Sequence, residues 1–169
     1  TGLIDLSASP LGIYTIQYVT PGPCPDSTTF ALNITLAPSA TFNYPQVAYC
    51  QNDINPFPVF APLASGGAFT ASSGSLIIDI NSGEIDLANS APGTYTVTNT
   101  IAPAGGCAAA VATTVVTVNP NATILLSSAA GTDAQVVCIN APLTNITYSI
   151  GGGGTGAGAI GLPPGVSGN

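Results

Sequence analysis

The sequence predicts an all-β chain built from tandem β-sandwich modules, and three observations predict it. Runs rich in Val, Ile, Thr and Tyr alternate at short spacing with clusters of Gly, Pro, Asn and Ser, as strands alternate with turns. No segment carries the three-and-four apolar spacing of a helix. The chain also repeats itself: GLIDLSASPLGIYT from Gly2 reads without a gap against GEIDLANSAPGTYT from Gly83, 81 positions later. Self-similarity at a fixed period marks modules that stack on their neighbours.

The strands expected in order are 12–19, 28–36, 75–79, 93–100, 112–118, 134–138 and 145–150. Around Tyr14 and Tyr95 larger apolar side chains alternate with polar ones, so one face packs on a core and the other meets water. Pro92-Gly93 supplies a turn just ahead of the second of these strands. The repeat continues through Pro38–Phe42 against Pro120–Ile124, and it places Cys24 with Cys107 and Cys50 with Cys138. It defines one complete module at 38–119, with 1–37 as the C-terminal half of a preceding module and 120–169 as the N-terminal half of a following one. That amounts to about two repeats of roughly 82 residues, cut mid-module at both ends, with 165–169 in the phase just before Thr1.

The chain has no Lys, Arg, His, Trp or Met, and its seven carboxylates give a net charge of −7. Ion pairs between side chains are therefore impossible. Nucleic-acid binding is excluded, because phosphate contacts need Lys or Arg, and an anionic membrane surface is disfavoured for the same reason. An apolar fraction of 46% is enough to bury a core. No run of about eighteen apolar residues exists to insert into a bilayer.

The cysteines number four and there is no histidine, which favours disulfides over zinc. The repeat then selects among the three possible pairings. Cys50 and Cys107 fall within the complete module, 57 residues apart, and Cys138 would reach Cys24 of a following copy after 55. The expectation is an intra-module Cys50–Cys107 bond, with Cys24 and Cys138 bonded to a neighbouring repeat or subunit. Disulfides place the chain in an oxidising compartment, at a cell surface or secreted.

Asp79, Asn81, Glu84 and Asp86 have the alternating oxygen donors that open a calcium loop. The pattern then departs, with Glu84 where the sharp turn wants glycine and Ser90 at the twelfth position, so a hairpin turn at Asn81–Gly83 competes with it. Glu84 and Asp86 also have the spacing of a carboxylate pair, but no Trp, Arg or His accompanies them and no base exists for a nucleophilic serine. Asp5 and Asp86 occupy matching positions, which suits a structural hydrogen bond to the following turn. No catalytic residue and no cofactor is expected. The Gly151–Gly158 stretch reads as a β-connection with close backbone approach, or as a flexible tip. Asn33, Asn121 and Asn145 head N-x-Thr triplets, which matter only in a eukaryotic secretory pathway.

The phrase from Ser82 to Val97, with Tyr49-Cys50-Gln51-Asn52 upstream and Gly106-Cys107 downstream, resembles the repeats of very long surface proteins of Bacteroidota. Residues 137–159 and 161–168 resemble a second repeat type of the same proteins. The resemblance implies immunoglobulin-like modules, type IX export, and a role in gliding motility or attachment. It also implies O-glycosylation at Asp-Ser/Thr sites, for which Ser27, in Asp26-Ser27-Thr28, is the candidate. The expected function is a structural or adhesive repeat segment of an extracellular adhesin or fibre. Its partners would be like repeats before and after, joined covalently or by strand complementation, and surface glycans. The alternative is a carbohydrate- or calcium-dependent binding module of a secreted enzyme, with Tyr18, Tyr44, Tyr49 and Tyr148 as contacts and Tyr14 and Tyr95 internal.

Overall fold

Two long runs of β-branched residues meet to form the centre of the molecule. In a computed structural model describing residues 3–164, the described chain forms twelve strands and no helix. The expected joining of 165–169 in phase onto Thr1 and Gly2 lies outside the described residues. The strands are β1 (Gly12–Val19), β2 (Ser27–Ile34), β3 (Phe42–Asn43), β4 (Ala48–Cys50), β5 (Val59–Phe60), β6 (Ala68–Ala71), β7 (Ile77–Ile78), β8 (Ile85–Asp86), β9 (Gly93–Ile101), β10 (Ala110–Asn119), β11 (Thr123–Leu126) and β12 (Tyr148–Gly151).

The main sheet has the order β4-β10-β9-β6. Its pairs are antiparallel except β4, which runs parallel to β10 with Ala48, Tyr49 and Cys50 opposite Thr117, Val118 and Asn119. The small sheets β3-β5 and β7-β8 bring the remaining core residues to it. Alternation puts Tyr95, Val97, Val116 and Val118 on one face of the main sheet, where all are buried. Tyr49 of β4 and Phe69 of β6 flank them in the same sheet, and Phe42, Tyr44, Leu76, Ile85 and Leu87 complete the cluster. Each such aliphatic or aromatic side chain contributes about 1.5–3 kcal/mol on leaving water. Phe69 lies at the centre, edge-on to Phe42 with ring centroids 5.4 Å apart. Gly83 sits against it with φ +74°, and a Cβ there would approach the Phe69 ring to 2.9 Å.

With no cation available, buried polar groups are satisfied by amides, hydroxyls and backbone. Asn99 is fully buried, and its side chain ties three separate backbone groups to β9. Its Nδ2 donates to the carbonyls of Ala40 and Ser65, each at 2.9 Å, and its Oδ1 accepts from Gly67 N–H at 2.8 Å. Ser90 Oγ donates to Asp86 O at 2.6 Å and accepts from Ile77 N–H at 2.9 Å. No buried side-chain oxygen or nitrogen among the described residues lacks a partner.

On either side of this module lies a separate two-stranded sheet, β1-β2 and β11-β12. The strand expected at 134–138 is absent, because the segment has no partner strand beside it. Its counterpart β4 is a strand only through its pairing with β10. The strand expected at 75–79 shortens to Ile77–Ile78, and 145–150 shifts to β12.

Replacing Asn99 by Ala would leave the buried Ala40 carbonyl without its partner, together with the Ser65 carbonyl and Gly67 N–H, whose bonds to Asn99 are half-buried. At about 1–3 kcal/mol for each lost partner, less whatever relaxation recovers, the expected loss is about 3 kcal/mol in chemical denaturation. Asn99→Asp should lose at least as much at neutral pH, because it also buries a charge that no cation can pair.

Candidate functional site

The β1-β2 hairpin repeats β9-β10 without a covering layer among the described residues. Gly12 pairs with Ile34 and Tyr14 with Leu32, as Gly93 pairs with Val118 and Tyr95 with Val116. The corner that precedes each hairpin is also the same. Tyr14 Oη donates to Pro10 O at 2.9 Å and Tyr95 Oη to Ala91 O at 2.7 Å. Ser9 Oγ donates to Asp5 O at 2.7 Å and Ser90 Oγ to Asp86 O at 2.6 Å. Local sequence therefore builds the corner and the hairpin without help from a covering layer.

What differs is burial. Tyr14, Ile16, Leu32 and Ile34 are only half-buried, whereas Tyr95, Val97, Val116 and Val118 are buried. With Ile4 they line an open apolar depression of about 150 Å³, rimmed by Ser9 and Pro10. Tyr18 and Phe30 stack at 6.0 Å and extend the same face outward. Sequence reasoning took Tyr14 to be internal; the structure leaves it half-exposed because nothing closes over β1.

The converse half lies at 120–164. β11 pairs with β12 so that Ile124 faces Ile150, as Phe42 faces Phe60 in β3-β5. Ile124 and Ile150, with Val136, Val137, Leu143 and Ile146, are exposed. The glycine run is a close backbone approach: at Gly152, with φ +62°, a Cβ would lie 1.9 Å from Asn121 O.

The expected Cys50–Cys107 bond is not made, and the fold separates its partners. Cys50 pairs with Asn119 at one end of β10, and Cys107 lies before Ala110 at the other end. A strand of that length spans about 30 Å at 3.3 Å per residue, several times what a disulfide can bridge. All four thiols are free in this structure. Cys107 Sγ lies instead 3.5 Å from Thr35 Oγ1 and 3.8 Å from Leu36 O, at the joint between the first hairpin and the complete module. Cys24, Cys50 and Cys138 are exposed.

The carboxylates singled out for calcium serve the turns. Asp79 Oδ1 accepts from Asn81 N–H at 3.0 Å and Ser82 N–H at 2.7 Å, and these bonds hold its carboxyl below the usual range. Asp86 binds Asn89 through N–H and Nδ2, and Glu84 Oε1 accepts from Asn55 Nδ2 at 3.4 Å. No group of three or more acidic, Cys or His residues suited to a metal occurs among the described residues. The binding-module expectation also needs correcting, because Tyr44 and Tyr49 belong to the core. Tyr44 Oη donates to Gly83 O at 2.6 Å and Tyr49 Oη accepts from Gln46 N–H at 2.9 Å. Burial and the neighbouring Tyr49 raise the Tyr44 phenol well above its ordinary value. Tyr18 and Tyr148 are half-exposed. Ser27 is exposed at the start of β2, with its N–H bonded to Asp26 Oδ1 at 2.8 Å.

The sign for Asp79 follows from its lowered value: its contribution is present above about pH 4, the unfolded-state value, and is lost as pH falls through the folded one. Asp79→Asn should flatten the acid limb of a stability-versus-pH curve below about pH 4 and leave its slope near neutrality unchanged. No family model, curated protein or solved structure matches the chain.

Proposed function

We propose that the chain is a structural, adhesive repeat segment of an extracellular fibre or cell-surface adhesin, of the kind its repeats resemble in Bacteroidota. The observation that carries this reading is the hairpin seen twice, once covered and once bare. A chain of repeated modules grows by repetition, each unit contacting chiefly its neighbours.

An immunoglobulin-like assignment of the modules rests on three features of 38–119. An early strand, β4, runs parallel to the last strand, β10, at the sheet edge. β10 and β9 form the central hairpin, with β6 beyond it. A tyrosine at the start of the penultimate long strand bonds back to the carbonyl four residues earlier, the tyrosine corner of such sandwiches. The chain's chemistry suits an exposed fibre: it offers no Lys or Arg to trypsin-like proteases, and Thr and Ser hydroxyls on the outer faces supply its solubility.

Electron microscopy of native material should show filaments whose axial repeat holds two modules. A reducing, denaturing gel then separates two forms of the fibre. One very large band means covalent tandem repeats, and a band near 16.5 kDa means a polymerising subunit. Monodisperse globular particles in native material would remove the fibre reading.

A further inference from the structure

We infer that the bare face of β1-β2 is covered by residues 122–158 of another copy of this sequence, and that two disulfides staple each such junction, Cys107 to Cys138 and Cys24 to Cys50. The inference deepens the fibre reading and rests on it.

The occupant is identified by the complete module, which shows what covers such a hairpin. There β4 extends the sheet beside β10, and β3, paired with β5, packs into the same core; the chain contains one more set of these three elements. β11 corresponds to β3 and β12 to β5 by pairing register, and Val136–Cys138 corresponds to β4 by the repeat. Ile124, Leu126 and Val137 then take the places of Phe42, Tyr44 and Tyr49. The fit is specific to this pair of halves. Where the complete module buries Asn99 against Ser65 and Gly67, the bare hairpin carries Tyr18 stacked on Phe30. The matching cover, Gly151–Gly158, is almost without side chains and leaves room for the rings.

Register fixes the cysteines. Ile34 pairs with Gly12 as Val118 pairs with Gly93, so Thr35 is the counterpart of Asn119. Cys50 lies opposite Asn119, so the incoming Cys138 lies opposite Thr35. Paired strands are about 4.8 Å apart, and Cys107 Sγ already lies 3.5 Å from Thr35 Oγ1. That brings the two cysteines within the reach of a disulfide. At the far end of the module the same relation holds. Cys50 sits by Asn119, Asn52 N–H bonds Asn121 Oδ1 at 3.0 Å, and the loop that arrives there in the next copy is the one holding Cys24. Within a single chain Cys107 and Cys138 belong to junctions at opposite ends of β10.

Each bond forms when two thiols give up two protons and two electrons. The acceptor is a small-molecule or protein disulfide, which leaves as two thiols after thiolate exchange.

The test uses the full 169-residue chain, prepared in ordinary and nitrogen-15 forms, mixed, and oxidised with a glutathione couple. After cleavage at acidic or aromatic residues, mass spectrometry should find Cys107–Cys138 and Cys24–Cys50 peptides, about half of them of hybrid isotope mass. The hybrid mass shows that the bonds join different copies. Cys107→Ser should remove the first linkage and keep a non-reducing ladder through the second, and Cys24→Ser with Cys107→Ser should abolish the ladder while filaments persist. Val137→Asp, at an exposed position outside the complete module, should prevent assembly and leave the unfolding midpoint of that module unchanged. Filaments without these linkages, with Cys50 bonded to Cys107, or with only unmixed isotope peptides would overturn the inference and leave the fibre reading standing. A chain that stays monomeric with free thiols would overturn both.

Discussion

A sheet with one apolar face must be covered, and for β9-β10 the cover lies in the stretch of sequence that precedes it. β9-β10 is closed by residues 40–87 of the same chain. β1-β2 has the same corner, the same register and apolar residues at the same places on that face, with Tyr18 where β9 has Asn99, but no described stretch covers it. The energetic gap between the two hairpins is therefore a gap in burial and not in local structure. Four side chains left half-exposed, at about 1.5–3 kcal/mol for complete burial of each, are a substantial reserve of unspent hydrophobic stabilisation.

The absence of cations shapes everything polar inside the module. A buried carboxylate could find no counter-ion, and the buried polar side chains are accordingly neutral: Asn99 and Ser90 in the module, and Thr132 beyond it. Asn99 replaces an ion pair as the long-range tie, joining β9 to Ala40, Ser65 and Gly67. Carboxylates stay at the surface, where Asp5, Asp79 and Asp86 accept hydrogen bonds from nearby backbone N–H groups. An architecture of this kind has little to lose at high salt, because no attraction between charged side chains holds it together.

Much of the fold was legible in the sequence because the repeated phrase and the long Thr/Val runs mark β1, β9 and β10 unambiguously. Two-residue strands such as β3, β5 and β8 were not, since each exists only through pairing with another short strand distant enough in sequence to leave no local signal. The segment 134–138 has the composition of a strand but becomes one only beside a partner. The cysteine pairing misled for an instructive reason. In a periodic chain any two in-phase pairs of cysteines have nearly equal spacing, so the agreement of 57 with 55 residues restated the repeat and held no information about which sulfurs meet. The length of β10 decides that, and spacing along the chain does not reveal it. The role of Asn99 was equally hidden, because a fully bonded buried amide and a solvated one look alike in sequence.

The parallel pairing of β4 with β10 sets how the module would bear load. Tension along a stack enters the module ahead of β4 and leaves it after Asn119. The two strands are thus pulled past one another along their own length. The hydrogen bonds that join Ala48–Cys50 to Thr117–Asn119 lie across the direction of pull, so they share the force and must yield together. An antiparallel hairpin pulled from its open end unzips one rung at a time. With its only parallel pair among the described strands at this edge, the chain would meet traction along such a stack in shear, the geometry in which a short ladder is mechanically strongest.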